Sequence, residues 1–124
     1  MHPDQTIQTG NAVLDNEKGW LVGGSLPKAL GLRHTYDVEL KWSVHKAGEE
    51  RPGWVTSEVR TTVAILISGQ YEVMFRERSA MLVNQGDFVM WGKGSDHKGR
   101  ALEDSVILTV RWPSIPIKVT KNST

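Results

Sequence analysis

The chain has 124 residues, with 15 lysines and arginines against 14 aspartates and glutamates, and it contains no cysteine. Its length suits one domain, since domains average ~100–200 residues. The formal net charge of +1 argues against a dedicated nucleic-acid-binding module, which concentrates basic charge. The lack of cysteine excludes disulfides, zinc–thiolate sites, iron–sulfur clusters and a cysteine nucleophile.

The two ends and the longest apolar run favour a cytoplasmic protein with one folded domain. Val63–Ile67, the longest apolar run, is far too short to span a membrane. No basic stretch followed by an apolar one opens the chain, so no secretory signal is expected. We interpret residues 1–18 as an N-terminal arm, residues 19–116 as the domain and residues 117–124 as a polar C-terminal tail.

The first half of the chain contains two predicted strands. Trp20–Val22 is a short apolar run that two glycines close. Apolar and polar residues alternate from His34 to His45, which predicts a strand with one buried and one solvated face. The predicted buried face comprises His34, Tyr36, Val38, Leu40, Trp42 and Val44. The predicted solvated face comprises Thr35, Asp37, Glu39, Lys41, Ser43 and His45.

Five more strands are predicted in the second half, separated by turns that contain glycine or, between the second and third of them, by the charged hairpin tip Arg76–Arg78. They cover residues 55–68, 71–76, 80–83, 88–91 and 106–112. Seven or eight short strands at a spacing of ~8–12 residues predict an all-β sandwich or barrel. The only helical signal is Pro27–Leu30, which is at most one turn.

The segment that begins at Gly86 has a distinctive spacing. Gly86 is followed by Gly92, Gly94 and His97, with predicted strands on both sides. This pattern resembles the second signature motif of the cupin superfamily, although Gly92 replaces the motif's proline and Ala101 its asparagine. The resemblance covers about residues 42–112 and implies a double-stranded β-helix, which is an RmlC-like jelly-roll barrel. It also implies a homodimer, because cupins commonly pair through their sheets and N-terminal segments.

The first cupin motif, which contributes a pair of histidines and a glutamate to a metal site, is degenerate in this chain. Counting back from Gly69 places the motif's glutamate on Thr62 and its histidines on Thr56 and Glu58. The longer spacing of the motif places the histidines on Val55 and Ser57. Three of the four positions that bind metal in cupins therefore carry other residues.

A metal site would need a different set of ligands. Divalent first-row metals bind three or more nitrogen or oxygen ligands from the protein. The candidates are His97, Glu58 and His45, and the metals would be iron, manganese, nickel or zinc. Because only two of the three candidates fit the predicted barrel interior, we expect no cofactor and keep the metal as an alternative.

Four residues are candidates for contacting a ligand. The resemblance implies that His97 points into the mouth of the barrel, whereas the alternative is a solvent-facing loop histidine. Glu58 and Arg60 share one face of their predicted strand, and this face either lines the barrel or is solvated with an ion pair. Trp91 lies just before the loop that leads to His97 and could form a pocket wall.

Two classes of function remain open. In the first, the barrel binds a small polar metabolite, either a sugar or a carboxylate, which Arg60 neutralises and His97 orients. In the second, the chain is an enzyme, either a metal-dependent oxygenase or a sugar isomerase or epimerase with His97 as general base. In both, Glu58 would raise and Arg60 would lower the pKa of His97, leaving an imidazole whose charge responds to small changes.

Overall fold

The computed structural model describes residues 6–115, and most of its regular structure is β-strand. The strands are β1 (Trp20–Val22), β2 (Glu39–His45), β3 (Thr61–Ser68), β4 (Tyr71–Phe75), β5 (Ser79–Leu82), β6 (Phe88–Trp91), β7 (His97–Ala101) and β8 (Ser105–Trp112). Two short helices, α1 (Ala12–Asp15) and a 3₁₀ helix (Lys28–Arg33), precede β2. Among residues 6–115, no helix is long and apolar enough to cross a bilayer. The tail predicted at 117–124 lies outside the described residues.

The strands form two antiparallel sheets. The large sheet has the order β1–β2–β8–β3–β6, and the small sheet has the order β5–β4–β7. The non-sequential neighbours within the large sheet are typical of a jelly roll, so the predicted all-β class and jelly-roll architecture are confirmed. The two sheets are not joined into a closed barrel.

The apolar core lies between the two sheets. Leu66 of β3 and Ile107 of β8 face it from the large sheet, and Val73 of β4 and Leu82 of β5 face it from the small sheet. Each is at most 3% exposed, and full burial of such a side chain stabilises a fold by about 1.5–3 kcal/mol. These contacts hold the sheets face to face and fix the orientation of every side chain that alternates with them.

Three predicted elements differ from the observed ones. β2 begins at Glu39 rather than His34, because Nδ1 of His34 donates to the Leu26 carbonyl (2.8 Å) and residues 34–38 stay outside the sheet. β3 begins at Thr61 rather than Val55, because the chain turns at Ser57, whose φ is 59°. The sequence predicts no strand at β7, because the residues from His97 to Ala101 show no apolar alternation.

The two faces of β2 are the reverse of the prediction. Glu39, predicted to be solvated, is 5% exposed, whereas Val44, predicted to be buried, is 68% exposed. Lys41, Ser43 and His45 border the space between the sheets. The alternation of the strand is correct, but its polar side chains point inward because the interior at this end of the sheets is polar.

The opposite side of the large sheet is apolar, and we call it the outer face. Its residues are register neighbours across β6, β3, β8 and β2; Ile65, for example, lies opposite both Phe88 and Leu108. The outer face comprises Leu40, Trp42, Val44, Thr61, Val63, Ile65, Phe88, Met90, Val106, Leu108, Val110 and Trp112. None of these side chains carries a charge.

Candidate functional site

A cavity of about 260 Å³ lies between the sheets, on the polar side of β2. Side chains from both sheets line it, among them Lys41 and Arg111 of the large sheet and Tyr71 and His97 of the small sheet. The cavity shares Lys41, Tyr71 and Arg51 with a wider surface groove of about 670 Å³, so it opens to solvent at this point. A pocket with a polar wall and one mouth is suited to a small molecule.

Among residues 6–115, three buried polar atoms of side chains that line the cavity have no hydrogen-bond partner. They are the Thr62 hydroxyl oxygen, the Trp91 indole nitrogen and Nε of Arg111, and each is buried. Thr62 pairs in register with Trp91 on β6 and with Arg111 on β8, so the three side chains form one row across the large sheet. We call it the donor row. Because buried polar groups nearly always have a partner, the donor row indicates a place where another molecule binds.

Glu58 and Arg60 belong to a buried ion network beside the cavity. Nε and Nη2 of Arg60 donate to the two carboxylate oxygens of Glu58 (2.8 and 3.0 Å), and Nη1 donates to Glu39 (3.0 Å). Glu39 also accepts from the Ser114 hydroxyl (3.0 Å) and pairs with Arg111. Glu58 and Arg60 are 6% and 7% exposed, so their strand face is not solvated, and neither side chain lines the cavity.

The charges of this network stabilise one another. Burial alone would lower the pKa of Arg60, but hydrogen bonds and charge from Glu58 and Glu39 outweigh it and raise that pKa. Burial alone would raise the pKa of Glu58, but Arg60 outweighs it and lowers that pKa. Both groups are therefore ionised at neutral pH. Their pairing leaves them poorly placed to meet the charge of a ligand.

His97 lies on the cavity wall, as the resemblance implied. Its ring centroid is 4.5 Å from that of Trp91, and its Nδ1 makes a long contact of 3.4 Å with the Ser95 carbonyl. Burial lowers the pKa of His97, while Ser95 and the carboxylate of Glu58 raise it by less. The expected balance between Glu58 and Arg60 is therefore not what governs this group. His97 is a neutral imidazole at pH 7, able to accept a hydrogen bond or a proton.

Lys41 and Tyr71 stand at the mouth of the cavity. Burial, with the positive charges of Arg111 and Arg51, lowers the pKa of Lys41. Burial raises the pKa of Tyr71, so its hydroxyl stays protonated and can donate a hydrogen bond. Tyr71 fits only because residue 99 is glycine, since a Cβ there would lie 2.0 Å from the Tyr71 hydroxyl.

Sequence reasoning missed Lys41, Tyr71, Arg111 and Thr62 as site residues. Lys41 was placed on a solvated face, and Arg111 was not singled out. The sequence contains one usable signal: β2 and β8 each place a cation, Lys41 and Arg111, among the positions that alternate with apolar ones. In the structure these two strands pair along their whole length. The sequence does not show which face of each strand points towards the interior.

The three candidate metal ligands do not come together. Glu58 is held in the ion network, and Nδ1 of His45 is 2.6 Å from Glu49 at the mouth. Among residues 6–115, no group of three or more histidines, aspartates or glutamates could hold a metal ion. The described side chains therefore do not fit the metal centre that the cupin resemblance implies.

The fold was compared with solved structures. The chain is similar to KdgF from Halomonas sp., with 21% identity and a TM-score of 0.60 over 68% of this chain and 77% of that one. It is similar to an RmlC-like cupin from Desulfovibrio desulfuricans (19%, TM-score 0.56, 66% and 77%) and to a cupin superfamily protein from Desulfitobacterium hafniense (16%, TM-score 0.58, 65% and 72%).

Sequence comparison adds nothing to this likeness, because no family model and no curated protein matches the chain. The structural neighbours share at most 21% identity in these examples, so the likeness concerns architecture. The resemblance that began with the spacing of Gly86 and His97 is confirmed at that level: this chain has the jelly-roll fold of the cupins.

Proposed function

We propose that this chain is a cytoplasmic protein that binds a small polar molecule in the cavity between its sheets, without a metal ion. One observation carries the proposal: within residues 6–115, the three side chains that hold the unpartnered polar atoms of the donor row all line one cavity. An unsatisfied buried polar group costs about 1–3 kcal/mol. A fold that keeps three of them together gains that energy back when a ligand supplies the missing partners.

The geometry of the cavity supports distinct roles for its side chains. Trp91 forms a wall and donates from its indole nitrogen, and neutral His97 accepts a hydrogen bond from the ligand. Arg111, rather than Arg60, meets the ligand directly, because Nε of Arg111 is unpartnered whereas Arg60 is saturated by two glutamates. Glu58 and Arg60 act as positioning residues that hold the end of the large sheet together.

The test follows the indole nitrogen of Trp91 by ¹⁵N NMR, assigned through Trp91→Phe. Malate and glucose serve as probes, one charged and one neutral. We expect at least one of them to shift the Trp91 resonance in a saturable manner. The Trp54 resonance is the internal control, since that ring lies outside the cavity beneath Arg76 (4.1 Å). Failure of both probes to move Trp91 would contradict the proposal.

Metal analysis distinguishes this proposal from the metal-dependent enzyme. Protein purified without chelator is expected to contain no stoichiometric metal, because the candidate ligands are held apart. Iron, manganese, nickel or zinc at one equivalent per chain would overturn the metal-free site. It would instead favour an oxygenase or a sugar isomerase or epimerase.

We also propose that the chain forms a homodimer through its outer face. Four residues of this uncharged face, Val44, Phe88, Met90 and Trp112, are 68%, 62%, 50% and 39% exposed in the single chain. Contiguous exposed apolar surface of this kind marks an interaction site. A second copy offers the same uncharged surface, so pairing would bury no unpaired charge. A sedimentation mass near 13.8 kDa would contradict the dimer.

A further inference from the structure

We propose that the molecule bound in the cavity is a small carboxylate, whose negative charge lies between Lys41 and the donor row. This inference rests on the proposed binding function and narrows it, since that function allows a neutral sugar equally well. It is carried by the distribution of charge and of hydrogen-bond donors around the cavity.

The charged side chains that line the cavity are all basic. Lys41, Arg51 and Arg111 are among them; His45 and the neutral imidazole of His97 also line the cavity, and no aspartate or glutamate of the described chain does. Lys98 borders the cavity with its amino group 4.9 Å from the ring centroid of Trp54, and the amino group of Lys41 lies 5.2 Å from that of Trp20. A cluster of cations in a partly desolvated wall attracts an anion more strongly than the same charges would in water.

The nearest carboxylates do not neutralise this wall. Glu39 and Glu58 are matched by the guanidiniums of Arg60 and Arg111, so the ion network is neutral as a unit. Glu49 pairs with His45 at the mouth. Within the described residues, neither Lys41 nor Arg51 forms an ion pair. The positive charge of these two side chains is therefore available to a ligand.

The unpartnered groups match an anion in kind as well as in charge. Nε of Arg111 and the Trp91 indole nitrogen can only donate, and the Thr62 hydroxyl can donate or accept. Three donors in one row of the wall are complementary to carboxylate oxygens, which only accept. A neutral sugar hydroxyl would bring its own donor into a wall that already contains a surplus of donors.

The size of the cavity limits the ligand to a few carbons. Its volume of about 260 Å³ corresponds to roughly nine water molecules at ~30 Å³ each. Next to the donor row, the neutral imidazole of His97 can accept a hydrogen bond from a hydroxyl group. At the mouth, the Tyr71 hydroxyl can donate to a hydroxyl or carbonyl group. A hydroxy acid of four or five carbons meets both requirements.

The experiment compares three ligands: malate, its neutral diamide malamide, and glucose. Each is titrated into the protein at pH 7 and equal ionic strength, and the Trp91 indole resonance reports binding. We expect malate to bind at least ~10-fold more tightly than malamide, the factor that one lost charge-assisted hydrogen bond produces. Lys41→Gln should weaken malate by ~10-fold or more, whereas Lys41→Arg should retain most of the affinity. Lys93→Gln, on an exposed loop, is the matched control and should change nothing.

The outcomes separate this inference from the function on which it rests. Equal binding of malate and malamide, or unchanged malate affinity in a folded Lys41→Gln protein, would overturn the carboxylate. A Trp91 shift with glucose but not with malate would also overturn it, while leaving the proposed binding function intact. If none of the three compounds moves Trp91, both proposals fail.

Discussion

Across β2, β8, β3 and β6, the inner and outer faces of the large sheet have opposite chemistry. Near the cavity the inner face carries Glu39, Lys41, Thr62 and Arg111, and it is buried or half-buried. The outer face is uncharged, yet its Val44 is 68% exposed. Partition by polarity, the usual guide to inside and outside, is reversed at this end of the sheet.

Polar side chains can fill an interior when they neutralise one another. Two carboxylates and two guanidiniums meet in the ion network, so the charges are buried as pairs. Within residues 6–115, the three donor-row atoms have no hydrogen-bond partner, and Lys41 and Arg51 form no ion pair. The outer face shows the opposite departure, since exposed apolar patches of this extent mark interaction sites.

The substitution with the largest expected effect on stability removes Arg60 from the ion network of the inner face. Arg60→Leu leaves Glu39 and Glu58 buried without their main partner, so we expect a loss of about 3–5 kcal/mol in the free energy of unfolding. The matched control is Arg100→Leu, which removes a half-exposed pair with Glu72 and should cost about 0–1 kcal/mol. Urea denaturation at pH 7 measures both. Equal effects would mean that the inner network is not buried as described.

Sequence alone could predict the strands but not the side of each strand that faces inward. Periodicity located β1, β4, β6 and β8 closely, because each contains apolar residues next to a turn-forming glycine or proline. β7 escaped notice because Gly99 and its charged neighbours give no alternation. Its edge is instead satisfied by the segment at Val55, whose amide donates to the His97 carbonyl (2.7 Å).

The candidate site was predictable in part, for a physical reason. The motif spacing indicates His97, and Trp91 is a candidate because it precedes the loop to His97; both line the cavity. Glu58 and Arg60 were correctly placed together, yet their mutual hydrogen bonds remove them from the wall. Such pairing depends on where Glu39 arrives from β2, which is a long-range contact that no local pattern encodes.

The second test concerns the outer face and the proposed dimer. Val44→Lys introduces a charge that is solvated in the single chain but buried and unpaired in a dimer. We expect dissociation to become at least ~10-fold easier, about 1.4 kcal/mol, with monomer stability nearly unchanged. Met81→Lys is the control, because Met81 is 45% exposed on the small sheet, away from the outer face. Sedimentation equilibrium measures both, and equal shifts would place the interface elsewhere.

The third test uses the titration of His97 on the inner face. Burial lowers the pKa of His97 below 6.5, so below pH 6.5 the unfolded chain takes up its proton more readily than the folded one. Stability therefore falls as the pH drops from 6.5 towards the folded pKa, and His97→Ala should abolish this slope. At pH 7 the same substitution should cost little stability, about 1 kcal/mol or less, while abolishing ligand binding.

The same titration checks the influence of Glu58 on His97. The carboxylate raises the pKa of His97, so Glu58→Gln is expected to lower it further, as followed by NMR of the imidazole. Arg100→Leu, which leaves the ion network intact, is the control. An imidazole that titrates at 6.5 and ignores Glu58→Gln would be solvated, and its assignment to the cavity would be wrong.

The smallest expected effect compares two neighbouring threonines of β3 that lie on opposite faces. Thr62 is 1% exposed and its hydroxyl has no partner, whereas Thr61 belongs to the outer face. Valine keeps the shape of threonine and removes the hydroxyl. Because the hydroxyl of Thr62 satisfies nothing in the free protein, Thr62→Val should leave the free energy of unfolding unchanged or raise it by up to ~1 kcal/mol. Thr61→Val should stay within about 0.5 kcal/mol.

Binding distinguishes the two threonines where stability does not. Thr62→Val should weaken malate by roughly 3- to 10-fold, the loss of one neutral hydrogen bond, and Thr61→Val should not change it. Malate affinity from the Trp91 resonance and stability from urea denaturation are measured on the same two proteins. A loss of more than ~1 kcal/mol in Thr62→Val would mean that the hydroxyl already has a structural partner, such as a buried water. A Thr62→Val protein that keeps its stability but binds malate roughly 3- to 10-fold more weakly would mark the inner face as the functional one.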